Sequence, residues 1–480
     1  MKGVSLLVTS LLCCLMGTQT AANLAETRPL NILFLFSDDQ RADTIAALGN
    51  RHIQTPHLDR LVRDGTTFTR AYCMGAMQGA VCVPSRAMLL TGRTLFRVSA
   101  NLTNEPSWPE AFARSGYQTF ITGKWHNEPA SLRRIFQSGE AIFVGGMGWP
   151  YELPLQDLYA GQLGNERLSG EHSVKVFADA AIEFVREQNA QRPWLCYVAF
   201  NHPHDPRVAP LEFRARYDER KIPLPNNFLP QHPFDISMLT GRDELLERWP
   251  RTPEAVRRHL ADYYASITHM DAQIGRILAA LEGSGQRDRT IVVFTSDSGL
   301  AIGSHGLFGK QSIYEHSMRV PLIFSGPGIP RGKRRDAFAY LHDVFPTLGV
   351  LAGIHAPEGN EGRDLSRVIM GKEERVREEV FLAFMDTQRA VRDERWKLIR
   401  YPKVDVTQLF DLRSDPGETR NLSAERRQQH LVAAMLKQLE AAQRAFADRA
   451  PLHVSNPKPA AWTPPSGEIM EEMIRKNQTR

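Results

Sequence analysis

Most of the side chains that could do chemistry lie in four short polar clusters, each following an apolar segment. The clusters are Ser37-Asp38-Asp39-Gln40, Gly123-Lys124-Trp125-His126, Asn201-His202-Pro203-His204-Asp205-Pro206 and Ser296-Asp297-Ser298-Gly299. Carboxylate and hydroxyl oxygens suit Ca²⁺ or Mg²⁺, whereas Zn²⁺ prefers His or Cys. Adjacent aspartates can also simply cap turns. Because Asp297 arrives at a similar position from a separate segment, the pattern favours a metal site.

Positive charges and proton carriers accompany these oxygens. The five side chains concerned are Arg86, Lys124, His126, His204 and Lys310. Imidazole titrates near neutrality and can act as an acid or a base. A single His is more often structural, and His202, His305 and His316 are predicted to have structural or supporting roles. A divalent cation among several cationic side chains suits a tetrahedral oxyanion, so the residues predict hydrolysis or transfer at a phosphate or sulfate ester.

Cys82 stands at the predicted start of a helix, in the segment Val81-Cys82-Val83-Pro84-Ser85-Arg86. Pro84 suits the first helical position, and Gly92 suits the residue that ends the helix. The unpaired N–H groups of such a helix start favour an anion near Cys82 and Arg86. A free Cys is most often a buried core residue, and a thiolate is a soft partner for a hard cation. Its chemistry therefore fits poorly with the surrounding oxygen donors.

Helices alternate with apolar strands along most of the chain. Strands are predicted over 31–36, 66–71, 118–122, 194–200, 290–295 and 320–324, with helices over 56–64, 108–115, 172–187, 253–281 and 342–351. This alternation predicts an α/β fold with a mostly parallel sheet covered by helices on both faces. Ligands of such sheets bind at the carboxyl ends of the strands. All four polar clusters lie at such ends, so we expect them to meet.

The chain of 480 residues is too long for one ordinary core and is predicted to form two or three domains. Composition shifts after about residue 355, where Pro, Gly and charged residues accumulate. Short strands over 379–384, 389–391 and 396–401, a helix over 426–447 and a polar tail from 455 follow. We expect a catalytic domain over 23–365 and a C-terminal subdomain over 366–480, an α+β unit built on an antiparallel sheet.

The N-terminus is typical of a secretory signal, because a lysine precedes the apolar stretch Val4–Met16 and small residues follow it. We expect residues 1–22 to be removed and the protein to be exported, either to the periplasm or to the medium. No later segment is long and apolar enough to span a membrane. The net charge of +5 is small and comes without a basic tail, which argues against nucleic acid as a partner. Three Cys remain after the signal, an odd number that argues against a disulfide framework.

The segment Cys82-Val83-Pro84-Ser85-Arg86, with Leu90-Thr91-Gly92-Arg93, resembles the signature of the type I sulfatases, in which the Cys becomes formylglycine. The resemblance covers almost the whole mature chain. Further matching motifs are Asp38-Asp39, Thr122 to His126, Pro203 to Pro206, Thr295 to Asp297, Gly303 to Gly306, Gly309-Lys310, Arg319 to Leu322 and Asp411 to Leu422. It implies an alkaline-phosphatase-like fold with a small C-terminal domain.

The resemblance also implies catalytic roles. Cys82, matured to formylglycine (3-oxoalanine) by a formylglycine-generating or anaerobic maturation enzyme, would supply a hydrate hydroxyl that attacks sulfur and forms a covalent sulfoenzyme. Arg86 would hold the hydrate. His204, aided by Lys310, would protonate the departing alcohol. His126 would then take a proton from the second hydroxyl of the hydrate, which expels sulfate and regenerates the aldehyde.

A single Ca²⁺ is the metal that the resemblance implies. Its ligands would be Asp38, Asp39, Asp297, Ser298 and the matured Cys82, while Lys124, His204 and Lys310 would contact the substrate. The residue after Asp297 is commonly Asn or His in the family, and here it is Ser298. A hydroxyl at this position would ligate the metal more weakly, directly or through water.

The sequence therefore predicts an exported, Ca²⁺-dependent sulfatase that removes sulfate from a sulfated saccharide. A phosphate or phosphonate monoester hydrolase on the same scaffold is the alternative, because both substrates are tetrahedral oxyanions. A non-catalytic binder of anionic glycans is disfavoured, since every proton carrier is present. We expect specificity to lie in the loops at 145–154 and 206–251. The sugar, the sulfated position and the oligomeric state stay open.

Overall fold

The computed structural model describes residues 29–189 and 191–478. The predicted signal over residues 1–22 lies outside the described residues. The strands, numbered along the chain, are β1 (Asn31–Ser37), β2 (Gly65–Tyr72), β3 (Gly75–Ala76), β4 (Gln118–Lys124), β5 (Ser138–Phe143), β6 (Pro154–Tyr159), β7 (Gln162–Leu163), β8 (Arg167–Leu168), β9 (Trp194–Ala199), β10 (Thr290–Ser296), β11 (Arg319–Ser325), β12 (Lys333–Tyr340), β13 (Val380–Phe384), β14 (Gln388–Arg392), β15 (Trp396–Tyr401) and β16 (Val406–Asp411). The α-helices are α1 (Pro56–Asp64), α2 (Cys82–Thr91), α3 (Trp108–Arg114), α4 (Pro129–Ile135), α5 (Ser173–Glu187), α6 (Leu211–Arg214), α7 (Pro253–Gly283), α8 (Glu315–Met318), α9 (Val344–Ala352), α10 (Ser366–Ile369), α11 (Gln429–Ala445) and α12 (Gly467–Gln478).

The larger sheet has the order β12-β2-β11-β10-β1-β9-β4-β5-β6-β7, with β8 paired to β6. Its centre, β10-β1-β9-β4-β5, is parallel throughout, and antiparallel strands flank it on both sides. Every residue of β1 is buried, as expected for a strand covered on both faces. The prediction of a mostly parallel central sheet is confirmed.

Helices cover both faces of this sheet, because alternate side chains of β1 point to opposite faces. Leu33 and Leu35 belong to the cluster that includes residues of α1, α5 and α7. Phe34 and Phe36 belong to the cluster that includes residues of α2, α3 and α9. The rings of Phe34 and Phe345 stack with centroids 5.2 Å apart. The sandwich of helix, sheet and helix that the sequence predicted is therefore present.

The helix that carries Cys82 begins earlier than predicted. Its first residue is Cys82, not Pro84. Proline is tolerated there because the first N–H groups of a helix have no partner within the helix. The predicted end is confirmed, since Gly92 has φ +71° and its N–H bonds to the carbonyl oxygen of Met88. All ten residues of α2 are buried.

The smaller sheet has the order β16-β15-β14-β13-β3, and β13 to β16 are antiparallel. The antiparallel sheet and the strands β13 to β15 were predicted, whereas β16 was not. Its edge strand β3 comes from the N-terminal part of the chain and pairs in parallel with β13. One hydrophobic cluster joins residues from both sheets. The domain boundary at 365 stays a prediction.

The polar tail that begins at 455 contains one helix, α12. Met470 of this helix packs in one cluster with Leu245 and Trp249. Among the described residues, no helix is long and apolar enough to cross a membrane.

Candidate active site

The four strands that end in the polar clusters are direct neighbours in the order β10-β1-β9-β4. Ser37 at the end of β1 is in register with Ser296 of β10, and Ala199 of β9 is in register with both Phe36 and Gly123. Because parallel strands point the same way, the polar segments that follow them meet at one edge of the sheet. The structure brings the predicted site residues together there.

The acidic side chains form a cluster cut off from solvent. Asp38, Asp39, Asp297 and Ser298 are all buried. The Ser298 hydroxyl donates to Asp39 Oδ1 at 3.0 Å, and the Asp39 main-chain N–H donates to Asp297 Oδ1 at 2.9 Å. Ligand atoms of Asp38, Cys82 and Asp297 lie within 4.8 Å of one another. Asp39 has φ +66°, a left-handed conformation that turns the chain sharply after β1.

These residues fit a hard cation. Asp38 Oδ1 is buried and has no hydrogen-bond partner, although buried polar atoms are almost always satisfied. Burial and the charge of the neighbouring Asp38 raise the pKa of Asp297 to about 8. A cation among these oxygens would satisfy the orphaned atom and relieve the repulsion between the carboxylates. The carboxylate and hydroxyl oxygens of this cluster therefore suit Ca²⁺ or Mg²⁺. Cys82 is the one neighbouring residue whose encoded side chain is not an oxygen donor.

Three buried cations balance the carboxylates. Lys124 Nζ donates to Asp38 Oδ2, and Lys310 Nζ donates to both oxygens of Asp39 at 2.7 and 2.8 Å. Arg86 Nη2 lies 3.2 Å from Asp297 Oδ2, and its Nη1 donates to the carbonyl oxygen of Lys124 at 3.0 Å. The Arg86 guanidinium also stacks on the Phe36 ring at 4.9 Å. Each cation is thus fixed in direction before any substrate binds.

These ion pairs shift the pKa values of the residues that form them. Burial alone would raise the pKa of Asp38, but Lys124, His204, Arg86 and Lys310 together hold it well below its usual range. Burial alone would lower the pKa of Lys310, but Asp39 above all raises it well above its usual range. Both groups are therefore charged at neutral pH, and Lys310, which lines the pocket, presents a fixed positive charge to an incoming anion.

Cys82 lies against His126, with Sγ 3.1 Å from Nδ1. Burial raises the pKa of the Cys82 thiol to about 11, despite the opposing charges of Lys310 and Lys124. Burial and the charge of Lys124 lower the pKa of His126 to about 2. At neutral pH the thiol is protonated and the imidazole is neutral. As encoded, Cys82 is therefore a weak nucleophile, because the thiolate is the reactive form.

His204 approaches the cluster from β9. Its Nδ1 lies 2.7 Å from the main-chain carbonyl oxygen of Asp205, and its Nε2 lies 3.7 Å from Asp39 Oδ2. The Asp205 carboxylate lies 3.5 Å from His204 Nδ1 and is itself paired with Arg242. The ring is thereby held with Nε2 directed at the cluster.

A pocket of about 310 Å³ opens above the cluster. Four of the predicted site residues line it: Cys82, His126, His204 and Lys310. The predicted specificity loops contribute Gly146 and Met147 from 145–154, and Met238, Arg242 and Asp243 from 206–251. Arg86 and Lys124 lie behind these residues and do not line the pocket.

Sequence reasoning missed Asp205, Arg242, Asp243 and Gln311 as members of the site. The adjacent charged pair Arg242-Asp243 in a Pro-rich segment, and the position of Gln311 next to Lys310, were the available signals. His202, His305 and His316 do not line the pocket, in keeping with supporting roles. The three described Cys, at 73, 82 and 196, are free, which agrees with the absence of a predicted disulfide framework.

The fold and site together define a hydrolase that acts on a tetrahedral oxyanion. The family model described as Sulfatase matches residues 30–354, and one described as N-sulphoglucosamine sulphohydrolase, C-terminal, matches residues 303–445. Because the first match covers more than half of the 480 residues, the chain belongs to the sulfatase family, whose members hydrolyse sulfate esters.

Individual relatives span nearly the whole chain. An N-acetylglucosamine-6-O-sulfatase from Bacteroides thetaiotaomicron is 24% identical over 89% of this chain and 88% of its own. A solved sulfatase-fold structure in complex with its substrate D-glucosamine-2-N,6-O-disulfate has a TM-score of 0.73 at 23% identity, covering 88% of this chain and 99% of that one. A phosphonate monoester hydrolase from Silicibacter pomeroyi has a TM-score of 0.71 at 23% identity, covering 88% and 96%. The structural likenesses show the shared fold.

Proposed function

We propose that this sulfatase removes sulfate from a saccharide, using Cys82 matured to formylglycine and one bound Ca²⁺. The observation that carries the proposal is the position of Cys82. Its side chain lines the pocket, and its Sγ lies within 4.8 Å of a carboxylate oxygen of Asp38 and of Asp297. The thiol is nevertheless protonated and suits neither attack nor a hard cation. An oxygen-bearing side chain at this position removes both conflicts.

Asp38, Asp39 and Asp297 would hold the Ca²⁺, with the Ser298 hydroxyl 3.0 Å from Asp39 Oδ1 as a further oxygen. When bound, the ion draws negative charge from a sulfate oxygen and so makes the sulfur more electrophilic. The formylglycine hydrate supplies the attacking hydroxyl. The orientation of the sulfate and the transfer of protons are carried out by side chains of the protein.

Lys310, which lines the pocket, orients the sulfate group, and Lys124 supports it from directly behind the pocket lining. Each ammonium is buried and paired with an aspartate, so each offers remaining N–H donors in a fixed direction. Arg86 bonds to Asp297 and to the carbonyl oxygen of Lys124. It thereby holds the first turn of α2, which carries Cys82, against the acidic cluster. Fixed donors aimed at developing negative charge stabilise the transition state without reorganisation.

His204 and His126 move the protons. The Nδ1 of His204 faces a carbonyl oxygen, which can only accept a hydrogen bond, so Nδ1 keeps its proton and Nε2 is the atom that delivers a proton to the leaving oxygen. His126 Nδ1 lies 3.1 Å from the residue 82 side chain. That distance places His126 Nδ1 within reach of a proton on a hydroxyl at that position, so its geometry is that of the proton acceptor.

A saccharide substrate is supported by the relatives. The Bacteroides relative is named for a sulfated sugar, and one structural neighbour was solved with a glucosamine disulfate. A pocket of about 310 Å³ has the size class of a small-ligand site. Phosphonate monoester hydrolysis is the second candidate, because a hydrolase of that type shares the fold.

The proposal is tested with protein produced alongside a formylglycine-generating enzyme. Mass spectrometry of the peptide that contains residue 82 is expected to find the aldehyde, and sulfate release from a panel of sulfated saccharides is expected to exceed phosphate release from matched phosphate esters. Protein with the aldehyde that releases phosphate or phosphonate but no sulfate would support the second candidate instead. Export through residues 1–22 is a separate proposal, checked by the N-terminal residue of protein recovered outside the cytoplasm.

A further inference from the structure

Arg242 and Asp243 form a polar wall of the active-site pocket that the reaction itself does not use. Both residues line the pocket with Gln311, and the methionines Met147 and Met238 line it as well. A pocket lined by fixed polar groups and by apolar side chains suits a ligand that has both polar and apolar surfaces. A pyranose is such a ligand, since its hydroxyls lie around a rim and its C–H groups form flat apolar faces.

Arg242 is held by carboxylates on two sides. Its Nη1 donates to Asp205 Oδ1 and to Asp243 Oδ1, both at 2.8 Å, and its Nη2 donates to Asp205 Oδ2. The main chain is fixed too, because Asn477 Nδ2 of α12 donates to the carbonyl oxygen of Arg242 at 2.9 Å. A guanidinium has five N–H donors, two on each Nη and one on Nε. These bonds use both N–H groups of Nη1 and one of Nη2, so Nη2 keeps one N–H for a ligand at the pocket wall.

Asp243 is an equally fixed acceptor. It is 4% exposed, and besides the bond from Arg242 its Oδ2 accepts from Gln311 Nε2 at 2.7 Å. Gln311 Nε2 also donates to the carbonyl oxygen of Gly79 at 3.1 Å, and its Oε1 accepts from the Lys310 N–H at 3.0 Å. Each carboxylate oxygen can accept a second hydrogen bond. Gln311 thus fixes Asp243 in place, and Gln311 directly follows Lys310, one of the proposed sulfate-binding residues.

We propose that Arg242 and Asp243 form a donor–acceptor pair that recognises adjacent hydroxyl groups of the saccharide leaving group. A sugar hydroxyl both donates and accepts, so two neighbouring hydroxyls can satisfy the carboxylate and the guanidinium together. A leaving group without hydroxyls offers no partner to the remaining N–H of Arg242 or to the second acceptor site of Asp243, and a site built to bond hydroxyls discriminates against such a ligand. Because the pair is fixed before binding, little ordering is needed when the sugar enters.

This inference rests on the proposed sulfatase function, and its test separates the two. The kcat/KM of the matured protein is measured on a sulfated hexosamine and on nitrophenyl sulfate, whose aryl group has no neighbouring hydroxyls. If neither substrate releases sulfate, the proposed function fails. If both are hydrolysed, the ratio of the two kcat/KM values reports on the pair.

Asp243→Asn is expected to lower the ratio of saccharide to aryl kcat/KM by about tenfold or more, mainly through a higher KM for the saccharide. Arg242→Gln should lower the ratio in the same direction and also through a higher saccharide KM, whereas a fall in saccharide kcat alone would indicate that His204, which shares Asp205 with Arg242, has been disturbed. Glu212→Gln, an exposed acidic residue of the same 206–251 segment, is the matched control and should leave the ratio unchanged. Equal losses on both substrates would overturn the inference, because they would indicate a general structural defect.

A second measurement does not depend on the variants folding. Deoxy analogues of the sulfated hexosamine, each lacking one hydroxyl, are compared with the parent sugar on the unaltered protein. At least one single deletion should lower kcat/KM by about tenfold or more, and Asp243→Asn should discriminate less against that analogue. If the unaltered protein hydrolyses every deoxy analogue as well as the parent sugar, the pair does not read hydroxyl groups.

Discussion

The Nδ1 atom of His204 lies 2.7 Å from the main-chain carbonyl oxygen of Asp205, while the Asp205 carboxylate lies 3.5 Å from the same nitrogen and is bound by Arg242. One residue therefore orients the ring through its main chain and places negative charge beside it through its side chain. The same carboxylate also fixes the pocket wall. The proposed proton donor and the proposed sugar-binding pair thus share one support.

The role of His204 predicts a dependence on the leaving group. His204→Ala should lower kcat by about 10²-fold to 10⁴-fold on a saccharide sulfate, because the departing alkoxide then lacks an acid. The loss on nitrophenyl sulfate should be far smaller, since nitrophenolate leaves without a proton. Steady-state kinetics on both substrates measures the contrast. Equal losses would mean that His204 acts in binding or folding and not as the acid.

Cys82 is predicted to be essential through its modification and not through its thiol. Cys82→Ala should abolish turnover without changing the unfolding temperature, and protein made without a maturation enzyme should be inactive because the thiol pKa is about 11. Cys196→Ala is the matched control, since Cys196 is buried in β9 and does not line the pocket. That variant should lose about 1 kcal/mol of stability and retain turnover. Activity of unmodified protein equal to that of matured protein would remove the case for formylglycine.

Metal binding should stabilise the fold. Chelation followed by Ca²⁺ titration is expected to raise the unfolding free energy by about 2.7 kcal/mol when Ca²⁺ reaches one hundred times its Kd. Ser298→Ala should weaken Ca²⁺ binding, and Ser298→Asn should strengthen it by offering an amide oxygen. Ser284→Ala is the control, because Ser284 caps the C-terminus of α7 before the start of β10, whereas Asp297 follows the other end of that strand. Calorimetric titration reads the Kd directly, and identical values for all these proteins would place Ser298 outside the metal site.

The central strands were predictable because strands buried on both faces are continuous apolar runs. β1, β9 and β10 follow this rule, and each ends in a polar cluster. Their order in the sheet depends on pairing between residues more than 150 positions apart, such as Ile32 with Leu195, and local patterns do not encode it. Strands with exposed or charged residues, such as β8 and the start of β12, gave no such signal.

The catalytic side of the site was predictable for the same reason, because strand ends in a parallel sheet converge. The part of the pocket that would contact the leaving group could be predicted only as a loop, at 206–251, and not residue by residue. Arg242 and Asp243 lie in a long segment with little regular structure, and their direction is set by Asp205, Gln311 and Asn477. Contacts between such distant loops follow from tertiary packing, which hydrophobic periodicity cannot report.

Gly123, immediately before Lys124, is predicted to be required both for the sheet and for the site. Its φ is +93°, and a Cβ there would lie 2.0 Å from the carbonyl oxygen of Ala199 in the neighbouring strand β9. Gly123→Ala should therefore destabilise the protein by about 2 to 4 kcal/mol and lower kcat by displacing Lys124. Gly116→Ala separates the cost of the backbone conformation from the cost of the clash with β9, because Gly116 has φ +91° with no atom within 4 Å of a Cβ. This variant should lose only about 1 kcal/mol of unfolding free energy. Chemical denaturation measures both variants, and equal losses would mean that the contact with β9 adds nothing beyond the backbone conformation.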